Sequence, residues 1–183
     1  MTKLHPFQYL GAHKLYTEER FLLADEMGMF KTSQAIFANS KFREKKKGKL
    51  RTLVVCPTTV REHWGREIER WAYPKNQEVT YVAADSLAND IQKAKTSEWT
   101  IIPYHLASNF GDEATQKLTT LGFHHVILDE VHNAKNPNSL RTKAIKKIAD
   151  QSDYLSLLSG TPIPNTVADL YTLMSLLEPQ QYP

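Results

Sequence analysis

The chain has 183 residues, of which 41% are hydrophobic and 23% charged, and it carries a formal net charge of +3 at pH 7. That length and composition read as one globular domain with a real core, and so weak a positive charge permits a polyanionic partner without arguing for one. No apolar run approaches a bilayer span and MTKLHPFQ lacks the apolar stretch of a secretion signal, which excludes a membrane partner and predicts an intracellular protein, cytoplasmic in a prokaryote or virus and nuclear in a eukaryote.

Six apolar runs rich in branched residues follow one another: FLLA (21–24), TLVVC (52–56), VTYVA (79–83), WTIIP (99–103), HVILD (125–129) and YLSLLS (154–159). Continuous rather than alternating hydrophobicity is the mark of strands buried on both faces. Cys56 lies inside the second run and reads as a reduced, buried cysteine. Helical periodicity separates the runs. In VREHWGREIERW (60–71), Val60, Trp64, Ile68 and Trp71 fall on one stripe, and in SLRTKAIKKIAD (139–150) Leu140, Ala144 and Ile148 share a face. The alternation predicts an α/β fold, a three-layer doubly wound and mostly parallel sheet.

KFREKKKGKLR (41–51) holds seven Lys/Arg and one acid. A nucleic-acid patch and a solvated loop are both open. The helix after the first strand runs back across the sheet, which favours an exposed loop on the side away from the chemistry.

Two polar knots end apolar runs and carry that chemistry. In FLLADEMGMFKTSQAI (Phe21 to Ile36) a strand, a turn and a helix start meet at Lys31-Thr32, the setting of a nucleotide phosphate-binding loop. There, backbone N–H groups and the helix N-terminus bind phosphate, Lys31 neutralises the β/γ-phosphates, and the Thr32 hydroxyl ligates Mg²⁺. Asp25, Gly28 and Met29 complete the expected ATP-binding loop. An ordinary exposed lysine at a helix start is the plain alternative. In HHVILDEVHNAKN (His124 to Asn136), Asp129 is expected to hold Mg²⁺ and Glu130 to polarise the attacking water, which with Lys31 makes the catalytic set. A zinc site from His124, His125, Glu130 and His132 is the competing reading, and it lacks HExxH spacing. A third knot, Ser159-Gly160-Thr161, either relays nucleotide state or is a plain turn.

In this order the segments resemble the first, N-terminal RecA-like lobe of a superfamily 2 helicase, and more narrowly of a Swi/Snf-type DNA-dependent ATPase, across nearly the whole chain. LHPFQYLGAHKL (4–15) looks like the adenine-recognition motif, which implies that Gln8 reads the adenine edge. LLADEMGMFKTSQAI is similar to ADEMGxGKTxQAI. LVVCPTTVREHWGREIERW resembles motif Ia, IIPYHLA motif Ib, DEVH a variant DEAH box, LSGTPIPN motif III, and ADLYTLMSLLEPQQYP the end of the first lobe. The resemblance implies a P-loop NTPase lobe that binds ATP and Mg, contacts double-stranded DNA weakly by itself, and works with a second RecA-like lobe. It places DNA contacts at Thr58, Thr59, Tyr104, His105, Lys135 and Asn136. Thr58 or Thr59 equally suits a cap on the 60–71 helix.

Two features depart from the family pattern. Phe30 stands where the loop has its last glycine, and a benzyl group there is expected to enter the β/γ-phosphate space or force the loop open, weakening triphosphate binding by a few kcal/mol. The chain also ends at Pro183, where a first lobe ends, so the isolated lobe is expected to turn over little ATP. The alternative function is a degenerate, non-hydrolysing lobe that binds DNA or protein.

Overall fold

A computed structural model describes residues 4–109, 117–134, 136–160 and 167–182. Its sheet has six strands, β1 (Arg20–Leu23), β2 (Thr52–Cys56), β3 (Val79–Tyr81), β4 (Trp99–Pro103), β5 (His125–Asp129) and β6 (Tyr154–Leu158). All pairings are parallel, in the order β1-β6-β5-β2-β4-β3. The continuous branched runs explain why the strands form as the sequence predicts: β2, β4 and β6 are buried at every position.

Helices cover both faces. On one lie α1 (Pro6–Glu18), α2 (Lys31–Lys45) and α3 (Arg61–Trp71), whose Leu15, Ile36, Phe42, Trp64 and Ile68 pack with Val54, Ile101 and Ile127 of the sheet. The other carries α4 (Leu87–Lys93), α5 (Tyr104–Asn109), α6 (Leu140–Ala149) and α7 (Val167–Leu177), with Ile91, Leu106, Ile145, Ile148 and Leu176 against Leu53, Val126 and Leu155. Among the described residues no helix is long and apolar enough to cross a membrane.

Two expectations change. Leu140 is 71% exposed at the first turn of α6, so the core stripe is Ala144, Ile145, Ile148 and Ala149 instead. Ser139, one residue earlier, is the N-cap and accepts from the Thr142 N–H, which places Leu140 outside the packed face. The basic run is not simply a loop, because 41–45 continue α2. Arg43 pairs with Glu98 at 3.1 Å, Lys46 with Asp153 at 3.0 Å, and Lys45 with Glu19. Glu19 and Asp153 immediately precede β1 and β6, so the run sits at the N-terminal edge of the sheet, as the crossover geometry predicts.

Arg20 ties the ends of the domain together. Its guanidinium donates to the carbonyls of Leu176 and Leu177 in the last turn of α7, and to Ala149 and Ser152 at the end of α6, at 2.7–3.2 Å. Helix C-termini leave carbonyls without partners, and a planar five-donor group can serve several of them at once.

Candidate active site

Register puts the polar knots on one rim. Leu23 of β1 pairs with Leu158 of β6, and Leu158 pairs with Asp129 of β5, so three strand ends finish in one row. From that row the chain leaves into the loop before Lys31, into Ser159-Gly160, and into Glu130. β2 and β4 end on the same side and lead to Thr58 and to Tyr104-His105.

The phosphate loop is held by α2. Gln34, fully buried in its second turn, donates its amide to the Asp25 carboxylate at 3.0 Å and to the Met29 carbonyl at 2.9 Å. Gly28 lies at φ +83°, and Phe30, the residue before the helix, takes left-handed dihedrals of φ 54° and ψ 46°. The loop therefore bends at 30 through left-handed dihedrals that a glycine adopts without strain, with the Phe30 side chain 65% exposed. Lys31 begins α2, and its ammonium donates to the carbonyls of Asp25 and Glu26 at 2.9 and 3.0 Å. A Cβ placed on Gly160 would lie 3.6 Å from Lys31 Nζ, which brings the third knot against the lysine. Thr32 is half-buried beside it.

At the end of β5, Asp129 is largely buried. Burial pushes its carboxyl above the ordinary value; the Trp64 indole N–H, the backbone N–H of Glu130 and the Lys31 cation oppose the push, and the neighbouring Glu130 carboxylate adds to it. Trp64 Nε1 donates to Asp129 Oδ2 at 2.8 Å. Glu130 sits at φ +50°, a strained setting for a side-chain-bearing residue and one that recurs where function demands it. Its Oε2 is buried without a hydrogen bond among the described residues, 3.4 Å from His132 Nδ1 but not aligned with it. An unsatisfied carboxylate oxygen beside Asp129, with the Thr32 hydroxyl on the same rim, is a hard-oxygen donor set suited to Mg²⁺ and an ordered water.

The remaining predicted residues differ in burial and in their partners. Gln8 is only 3% exposed: its amide oxygen accepts from the His5 N–H at 2.8 Å and its nitrogen reaches Ser33 Oγ at 3.5 Å, which links α1 to the phosphate loop because Ser33 in turn donates to the Phe30 carbonyl. Tyr104 is 3% exposed, which removes it from the DNA-facing set; its hydroxyl is buried with no partner among the described residues. Neither Thr58 nor Thr59 caps α3. Both are exposed in a 3₁₀ turn, Thr58–Val60, and the residue before α3 is Val60, with no side-chain cap. Thr58 Oγ1 instead lies 3.1 Å from His105 Nδ1, so these two exposed residues meet at the rim. Asn136 is exposed and its side-chain oxygen accepts from the Asn138 N–H. Lys135 and Thr161 lie outside the described residues.

Two histidines of the zinc reading, His124 and His125, serve the fold. His125 is fully buried; its Nδ1 faces the Asn39 amide and its Nε2 faces Ser156 Oγ, both at 2.9 Å, while His124 Nδ1 accepts from the Arg51 N–H at 3.1 Å. The contact that sequence reasoning missed is Trp64 to Asp129. Its signal was available: a tryptophan on a fully buried stripe needs an acceptor for its N–H.

A parallel sheet with a lysine loop and a carboxylate pair on one rim defines a RecA-like, helicase-type lobe. Residues 12–183 match the model of the SNF2-related domain, and the chain belongs to that family. It is 31% identical over 181 residues to human "DNA annealing helicase and endonuclease ZRANB3", covering 98% of this chain and 16% of that protein. Against the Xenopus laevis "SWI/SNF-related matrix-associated actin-dependent regulator of chromatin subfamily A-like protein 1", identity is 33% over 98% of this chain and 18% of the relative. The chain thus spans less than a fifth of the length of either. Among solved structures, the Sulfolobus solfataricus SWI2/SNF2 ATPase core in complex with dsDNA matches with a TM-score of 0.82 at 28% identity, over 98% of this chain and 36% of that one.

Proposed function

We propose that this chain is the ATP-binding lobe of a DNA-dependent ATPase that moves along duplex DNA. The observation that carries the reading is the shared rim: β1 and β5 both flank β6, so the Lys31 loop and Asp129-Glu130 open on one side of one sheet. In this reading Lys31 exchanges the Asp25 and Glu26 carbonyls for the β/γ-phosphates, and the N-terminal N–H groups of α2 face the same charge. Asp25, Gly28 and Met29 shape the loop. Thr32 and Asp129 hold Mg²⁺, which when bound neutralises developing phosphate charge. Glu130 orients the attacking water and accepts its proton. Gln8 faces adenine after giving up its Ser33 partner for the base edge.

Thr58, Thr59, His105 and Asn136, with Lys135 as a further candidate, offer hydroxyl, imidazole, amide and ammonium groups to DNA phosphates. Such contacts hold the backbone without reading sequence. A second RecA-like lobe supplies the arginine that completes the site. The protein works wherever duplex DNA lies, in the cytoplasm of a prokaryote or virus and in the nucleus of a eukaryote. Strand separation is not part of the proposal.

A second reading, a lobe that keeps fold and partner binding but not hydrolysis, is favoured by one observation: Phe30 at the left-handed position of the loop. ATPase assays of the full-length protein, with Phe30 and with Phe30→Gly, with and without duplex DNA, separate the two. DNA-stimulated turnover with Phe30 in place supports the motor, and turnover only in Phe30→Gly supports the second reading. Nucleotide binding without turnover in both forms supports the second reading. Turnover at ordinary enzymic rates by residues 1–183 alone would overturn the two-lobe requirement.

A further inference from the structure

We infer that Trp64 is a positioning residue for the metal-side carboxylate, its indole N–H fixing Asp129 Oδ2 so that the carboxylate meets Mg²⁺ in a single orientation. The inference rests on the nucleotide-site reading of the rim. Trp64 is completely buried on α3, packed in the apolar cluster with Val54, Cys56, Ile68 and Ile101. Those neighbours offer no side-chain oxygen, and an apolar residue of similar size would pack there without leaving a polar atom to satisfy. The indole instead reaches from α3 to the end of β5, 65 positions along the chain, and donates at 2.8 Å to the carboxylate read as a Mg²⁺ ligand.

The other two tryptophans provide the contrast. Trp71 donates to Glu67 Oε2 at 2.9 Å and Trp99 to Gln77 Oε1 at 2.8 Å, both away from the rim. Only Trp64 spends its N–H on a residue assigned to the chemistry. A carboxylate offers about four lone-pair positions. The indole occupies one, fixing the group while leaving capacity for a ligand. Outer partners of this kind set the orientation and basicity of a metal ligand, and losing one weakens metal binding about 10–100-fold. The same helix starts at the Thr58–Val60 turn, so one rigid element joins the exposed hydroxyls of the proposed DNA face to the metal-side carboxylate.

The test measures binding of a non-hydrolysable ATP analogue to the full chain at millimolar Mg²⁺ and, separately, in EDTA. Trp64→Phe is expected to weaken Mg-nucleotide binding about tenfold and to change metal-free binding by less than about twofold. Ile68→Ala, one helical turn away on the same buried stripe, removes packing but no donor; it should lower thermal stability and leave the ratio of the two affinities unchanged. If Trp64→Phe does not fold, the indole N–H resonance of Trp64 in the wild-type chain decides, assigned by elimination with Trp71→Phe and Trp99→Phe. It should shift when Mg²⁺ is added to the nucleotide-bound protein, and the other two should not. Equal loss with and without Mg²⁺, or an unmoved Trp64 resonance, overturns the inference while leaving the nucleotide site intact. A wild-type chain whose nucleotide binding ignores Mg²⁺ overturns both.

Discussion

The ammonium of Lys31 is held by the backbone of its own loop: it donates to the Asp25 carbonyl at 2.9 Å, and Glu26 provides a second carbonyl at 3.0 Å. The loop is thus already wrapped around its lysine. A phosphate must displace these two carbonyls before the charge of Lys31 is available to it, and Phe30, the residue before α2, forms the left-handed turn of that loop.

That arrangement makes Phe30→Gly the most informative substitution. Left-handed dihedrals cost an L-residue roughly 1–2 kcal/mol, and glycine adopts them freely at some entropic cost. The exposed ring surrenders little burial. Phe30→Gly should therefore leave stability equal or up to about 1 kcal/mol higher, and should strengthen Mg-ATP binding at least about tenfold through closer backbone approach. Chemical denaturation and isothermal titration check the two halves; micromolar binding by the Phe30 protein with no gain from glycine refutes the second.

Asp129→Asn should stabilise the ligand-free protein while abolishing Mg-dependent nucleotide binding. Burial raises the Asp129 carboxyl above its ordinary 3.8, so its ionised form is destabilising in the fold at neutral pH, a cost relieved as pH falls through the raised value. Asparagine removes the charge and can still accept the Trp64 N–H. A gain of about 1 kcal/mol in urea unfolding at pH 7.5 is expected. A loss of stability would show that the charge is compensated.

His125 gives the opposite sign. Burial pushes its imidazole down to about 3 from the ordinary 6.5, and the rings and amides around it supply no charge to offset this. The unfolded chain takes up a proton below pH 6.5 that the folded chain refuses, so this contribution is complete above pH 6.5 and declines as pH falls toward 3. The slope is about 1.4 kcal/mol per pH unit. Between pH 6.5 and 5, where carboxylates contribute less, urea midpoints should fall in the wild type. They should flatten in His125→Gln, which will be less stable at pH 7.5 because it cannot bridge Asn39 and Ser156.

Arg20→Lys keeps the charge but loses the planar fork that serves four carbonyls at the ends of α6 and α7. A single ammonium cannot reach all of them, and orphaned buried carbonyls cost about 1–3 kcal/mol each in unfavourable cases. A loss of about 2–4 kcal/mol in global unfolding is expected, with hydrogen exchange in α7 rising first. Unchanged protection in α7 would mean that packing alone holds it.

Tyr104→Phe should be neutral or stabilising by about 1 kcal/mol, because its buried hydroxyl finds no partner among the described residues and an unmade bond costs about that much. Duplex-DNA affinity should not change, since the ring is not at the surface. His105→Ala, by contrast, should weaken DNA binding and increase the freedom of Thr58. Equal DNA affinity for both variants would remove motif Ib from the proposed interface.

Much of this was legible in the residues. Runs such as TLVVC, WTIIP and HVILD are long enough, branched enough and bounded clearly enough that only a buried parallel strand suits them, and Lys31-Thr32 and Asp129-Glu130 sit where such strands end. Periodicity was less secure at element ends: Leu140 shares a helical face with Ala144 yet lies in a first turn that nothing covers. Motif position misled at Tyr104, whose neighbour His105 faces solvent while Tyr104 turns inward.

The amino-acid order by itself determined the parallel α/β sheet, the lysine loop and the acidic pair, because burial pattern and turn chemistry are local properties of the chain. Only the tertiary structure decided partnership: Trp64 on Asp129, Arg20 across two helix ends, His125 between Asn39 and Ser156, and the left-handed turn that Phe30 accepts. Those contacts join residues from 31 to 157 positions apart, or depend on backbone dihedrals set by the packed loop. Hydrophobic period tells which side of an element is inside; it does not tell which polar atom will be waiting there.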